Sequence, residues 1–180
     1  NCVLLGESAM NNTGTNAQNG VVAIGKDALG TLTDGVSNLA IGKDALKTTT
    51  GGSRNLAIGE SAMTTAANDE NDNIAIGFNA MINLNNADSD NNIAIGNYAA
   101  DGMGIIGGTE NIFIGKHSGG GTWATADSTH NVAIGNSTLA GAMETSTYNT
   151  AVGYASLNAV IEGDSNTAIG YASGENIEDG

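Results

Sequence analysis

The motif Asn-x-Ala-Ile-Gly, in exact or near-exact form, returns ten times along the chain, with its glycine at Gly6, Gly25, Gly42, Gly59, Gly77, Gly96, Gly115, Gly135, Gly153 and Gly170. Successive glycines lie 17 to 20 residues apart. A unit of that length holds about one coil of a stacked solenoid, and it cannot bury its own apolar face without neighbours on both sides. Residues 1–180 therefore read as a single repeat array: an all-β, parallel β-solenoid of about ten coils. A helical reading fails because glycine interrupts every candidate segment and no 3.6-residue period emerges.

Columns taken across the repeats separate by parity. Immediately before the glycine stand Ile24, Ile41, Ile58, Ile76, Ile95, Ile114, Ile134, Val152 and Ile169, and two positions earlier stand Val22, Leu39, Leu56, Ile74, Ile93, Ile112 and Val132. Residues two apart in a strand share a face, so these columns form one apolar stripe, expected to be the core of the single chain. Between them lie Ala23, Ala40, Ala57, Ala75, Ala94, Ala133, Ala151 and Ala168, with Phe113 as the large exception. A small-residue column permits close approach of another backbone, so this face is expected to meet neighbouring chains, with Phe113 plugging the axis between them. Asn38, Asn55, Asn73, Asn92, Asn111, Asn131, Asn149 and Asn166 share that face. Two roles are open to them: an amide ladder along the stack, or the end of a turn that needs left-handed backbone. After each glycine a polar residue, a small residue and usually Leu or Met suggest a second strand, giving two short strands per coil. The remaining stretches, such as Lys47 to Ser53, are expected outside as turns.

Composition narrows the partners. With Lys+Arg 5 against Asp+Glu 19 the formal net charge is −14, which disfavours nucleic acid and anionic membrane surfaces. No apolar run approaches the length of a membrane span, so membrane insertion of this segment is not expected. Aromatics are only 4% of the chain, so the core must be thin and repetitive. Proline is absent, as suits a backbone whose amides are committed to ladders. The lone Cys2 has no partner for a disulfide and reads as a small packed residue.

The repeats, as in Asn149-Thr150-Ala151-Val152-Gly153-Tyr154-Ala155-Ser156 and Asn166-Thr167-Ala168-Ile169-Gly170-Tyr171-Ala172-Ser173-Gly174, resemble the head repeats of trimeric autotransporter adhesins. In their longer period they are more similar still to repeats of phage and virus-like tail fibres. The resemblance covers all ten repeats. It implies a left-handed β-roll, a homotrimer, an extracellular position on a virion or cell surface, and a structural or adhesive role in host attachment, with a cell-surface glycan or receptor as partner. Because the chain opens in mid-repeat at Asn1-Cys2-Val3-Leu4-Leu5-Gly6, it is expected to be part of a longer fibre protein. Inserts of several residues per coil depart from the short adhesin repeat and favour the viral fibre; the bacterial adhesin head stays as an alternative.

A left-handed β-helix enzyme of the acyltransferase type is the alternative from another class. Such helices place an aliphatic residue every sixth position, whereas here the aliphatics cluster around one glycine per coil. His117 and His130 sit in no recognisable catalytic spacing, so no catalytic residue is expected. No cofactor is expected beyond a candidate Ca²⁺ site at Asp69, Asp72, Asp88 and Asp90, in oxygen-rich turns of adjacent repeats that lack the spacing of known calcium loops. Ligand contact is expected where the repeat breaks, at Trp123 on its glycine-rich loop and at His130; packing over the coil edge is the competing role for Trp123.

Overall fold

A computed structural model describes residues 1–12, 14, 18–66, 69–104, 107–123 and 127–177. The described residues form ten strands of three residues each: β1 Val3–Leu5, β2 Val22–Ile24, β3 Leu39–Ile41, β4 Leu56–Ile58, β5 Ile74–Ile76, β6 Ile93–Ile95, β7 Ile112–Ile114, β8 Val132–Ile134, β9 Thr150–Val152 and β10 Thr167–Ile169. They build one parallel sheet in chain order, each strand pairing the next. The register holds every column in line, so that Ala40 faces Ala57, and Ile41 faces Ile58. The chain is a β-solenoid with one strand per coil.

The expected second strand is a bent ribbon. It still bonds from coil to coil, as when the Leu29 amide donates to the Ala45 carbonyl at 3.0 Å and the Asp44 amide to the Lys26 carbonyl at 2.9 Å. Its second and fourth residues, however, adopt left-handed backbone, for example Asp27 at φ 56° and Leu29 at φ 51°. That bend lets two consecutive residues, Ala28 and Leu29, both point inward, which a strand forbids. The fourth position is filled by Leu, Met, Ala or Gly and never by a β-branched residue, for which positive φ is most strained.

The sides of the sheet are the reverse of the expected arrangement. Ala23, Ala40, Ala57, Ala75, Ala94, Ala133 and Ala151 are fully buried within the single chain, and Ala168 nearly so. They cannot form an inter-chain face. The stripe of Ile24, Ile41, Ile58, Ile76, Ile95, Ile114, Ile134, Val152 and Ile169 lies outside: most of it is half-buried by stacking alone, and Ile95, Ile134 and Ile169 are exposed. The reason is room. A coil of 17 to 20 residues encloses a narrow interior, and Leu29, Leu46, Met63, Met81, Leu139 and Leu157 from the bent ribbon already fill it, so the facing strand must supply methyl groups.

A further inward column follows the ribbon: Leu32, Thr49, Ala66, Leu84, Met103, Trp123, Met143 and Val160, all buried. Thr49, expected on an outer turn, is fully buried there. At the repeated turn the glycine is forced by space: a Cβ on Gly77, at φ +139°, would sit 2.5 Å from the Gly96 carbonyl oxygen. Cys2 is exposed in the first coil, its thiol donating to the Gln18 carbonyl at 2.9 Å.

Candidate functional site

The asparagine column is a ladder inside the coil wall. Asn111 donates its amide N–H to Asn92 Oδ1 at 3.1 Å and its Nδ2 to the Ser128 carbonyl at 2.9 Å, while its own Oδ1 accepts from the Asn131 amide at 2.9 Å. The same pattern runs from Asn38 to Asn149, and Asn166 closes it by donating to Asn149 Oδ1 at 2.9 Å. Each buried amide thus ties its own strand to the next coil and to that coil's loop. The turn role holds beside it in the neighbouring residue: Arg54, Asp72, Glu110, His130 and Tyr148, one position before the asparagines, carry the positive φ.

That neighbouring column faces solvent and bonds along its own length. Arg54 Nε and Nη2 hold Asp72 Oδ1 and Oδ2, each at 2.6 Å, and this pairing holds the Asp72 carboxyl below its ordinary range. His130 Nε2 lies 2.6 Å from Glu110 Oε2, and its ring stacks on Tyr148 with centroids 4.8 Å apart. Two more aromatic stacks rise beyond the sheet glycines, Tyr98 on His117 at 5.0 Å and Tyr154 on Tyr171 at 5.4 Å.

The four carboxylates named for Ca²⁺ are dispersed among other tasks. Asp72 is bound to Arg54, and Asp90 Oδ1 accepts the Asn71 amide at 2.6 Å. Asp69 and Asp88 are exposed. Among the described residues no group of three or more His, Cys, Asp or Glu stands close enough to hold a metal ion.

Trp123 and His130 are not brought into one site. Trp123 is buried, 3% exposed, and packs edge-on against Phe113 with centroids 5.9 Å apart. Phe113 is fully buried within its own chain, so it is no plug between chains. It fits because Gly119 stands where seven of the other nine coils carry Leu or Met: a Cβ there would lie 2.5 Å from the Phe113 ring. The large residue has changed columns within the coil. The paired departures, Phe for Ala and Gly for Leu, could have been read from the sequence as a volume exchange inside one core.

Beside this exchange the wall of the solenoid is dented. A cavity of about 440 Å³ is lined by Thr65, Asn83, Asn85, Gly102, Gly104, Thr122 and Trp123, spanning the coils that begin with β4 to β7. None of these residues belongs to the sheet. Asp101, next to Gly102, has a buried Oδ1 without a hydrogen-bond partner among the described residues, and burial pushes its carboxyl above the usual range. The geometry defines a β-solenoid repeat protein with an aliphatic outer sheet face and a lateral cavity. No protein-family model, no curated protein and no solved structure matches the chain.

Proposed function

We propose that this chain is a non-enzymatic segment of an extracellular attachment fibre, a shaft or head in which three copies of a left-handed β-roll pack their sheets around a common axis. The observation that carries this reading is the outer sheet face. Two aliphatic columns run side by side over successive coils, half-buried by stacking, with Ile95 and Ile134 respectively 36% and 40% exposed. Monomeric proteins rarely leave a contiguous apolar patch of more than a few hundred Å² in water. A repeated ridge of Ile, Leu and Val on an in-register parallel sheet can meet an identical ridge on a copy of itself, so closed symmetry covers all of it at once. Three chains, rather than another number, follow the resemblance to adhesin heads and viral tail fibres. The viral fibre is the preferred source, and the bacterial adhesin head differs from it only in what anchors the array.

The interface moves from the alanine column to the aliphatic one, and with it the informative substitution. Ile76→Asp, in the middle of the sheet, buries a carboxylate if the face is covered and exposes one if it is not. Expected is loss of the assembly, read as a fall in mass by light scattering, with the β-type circular dichroism kept. An assembly of unchanged mass would place Ile76 in solvent and remove the sheet face from the interface. Ala57→Leu should instead unfold the coil before it affects association, because Ala57 has no exposed surface.

A further inference from the structure

We propose that the lateral cavity is a binding site for one uncharged pyranose sugar unit, which deepens the attachment reading by giving the fibre a ligand class. Its origin is local. Eight residues after the sheet glycine other coils carry Thr33, Thr50 and Asn85 in the wall, whereas the coil after β6 carries Gly104 there, where a Cβ would meet nothing closer than 3.6 Å. The side chain missing at Gly104, between Asn83 and Asn85 on one side and Thr122 on the other, leaves the depression. Its volume lies in the range of about 300 to 1,000 Å³ usual for small-ligand sites.

The lining selects by chemistry. In a chain of 19 acidic and 5 basic residues, no charged side chain lines this cavity among the described residues. An anionic ligand would find no counter-ion there. What the cavity offers is two carboxamides, two hydroxyls and an indole. Each amide and hydroxyl can both donate and accept, as neighbouring hydroxyls of a sugar ring do. Asn83 is held in place by donating Nδ2 to the Asp101 carbonyl at 2.7 Å, and Thr65 by donating Oγ1 to the Ile82 carbonyl at 2.6 Å, which leaves its oxygen lone pairs to accept. Trp123 supplies an apolar wall, and its Nε1–H is buried without a hydrogen-bond partner among the described residues. Because no lining residue lies in the sheet, the cavity stays open when the aliphatic faces are covered.

Trp123 is the only tryptophan of the chain, so its emission reports on this cavity alone. The test titrates the protein with the methyl glycosides of glucose, galactose, mannose and N-acetylglucosamine, and with N-acetylneuraminic acid as the charged control. Expected is a saturable change of Trp123 emission for at least one neutral glycoside at a Kd of about 1 mM, and none for the charged sugar. Asn83→Leu should weaken that binding about tenfold or more at unchanged melting temperature. Gly104→Asn should abolish it, since Asn accepts the left-handed backbone at this position (φ +50°) and a Cβ there meets nothing closer than 3.6 Å. No saturable response to any neutral glycoside, equal response to the charged one, or binding indifferent to both substitutions would overturn the proposal. The mass of the assembly separates it from the fibre reading: a trimer that binds no sugar loses only the cavity, and a monomer that binds one loses only the fibre.

Discussion

Asn111→Ala is expected to destabilise the protein by about 3 to 5 kcal/mol, although it removes only an uncharged side chain from a wall of small residues. Asn111 is fully buried and central in the ladder. Its loss leaves the Asn131 amide N–H without the Asn111 Oδ1 acceptor at 2.9 Å and the Ser128 carbonyl without the Nδ2 donor at 2.9 Å. Each buried group so orphaned costs about 1 to 3 kcal/mol, and Asn92 Oδ1 loses one of its two donors from Asn111 as well. Because the ladder passes through every coil from Asn38 on, the break also separates two half-ladders that supported each other. Lys116→Ala, on the exposed column, should change stability by less than about 0.5 kcal/mol. Urea unfolding of the two variants beside the parent measures the contrast, and similar midpoints for all three would show that the ladder does not hold the stack together.

The second large effect lies in the irregular coil. Phe113→Ala should cost about 3 to 5 kcal/mol, because the ring is fully buried and Trp123 rests edge-on against it. Gly119→Leu alone should also destabilise, by driving a side chain into the Phe113 ring from 2.5 Å. The double variant should recover most of the loss. It recreates the pairing of Ala133 with Leu139 in the following coil, and the backbone permits it, since Leu139 holds its side chain at φ 44° and Gly119 stands at φ 61°. Strong non-additivity in this double-mutant cycle is the signature of one shared volume. Additive losses would mean that Phe113 and Gly119 are unconnected substitutions.

These two sites also show what the sequence could and could not convey. Strand position, register and the sharing of faces were legible because a period of two and a repeated glycine locate every column. Which face lies inside was not, since parity is blind to side: Ile76 and Ala75 alternate equally well with either one inward. Size decides it, through the narrowness of the coil and the Leu and Met side chains that the ribbon turns in. The ribbon itself resembled a strand because its polar, small, large order fits alternation. The contrary signal was the exclusion of Ile, Val and Thr from the position of Leu29, Leu46 and Met63, which marks positive φ. The column of Leu32, Leu84 and Trp123 was hidden by drift, lying seven residues after the glycine in some coils and eight in others. Trp123 consequently looked like a loop residue, although it is part of the core and only lines the cavity.

The apolar face remains the feature on which the functional reading depends, because a solenoid that exposes it in solution would have no use for a ridge of isoleucines. The direct measurement is the mass of the native protein by sedimentation equilibrium across the micromolar concentration range. The proposed assembly predicts three times the 17.9 kDa of the chain, unchanged on dilution. A species of 17.9 kDa at every concentration would contradict it.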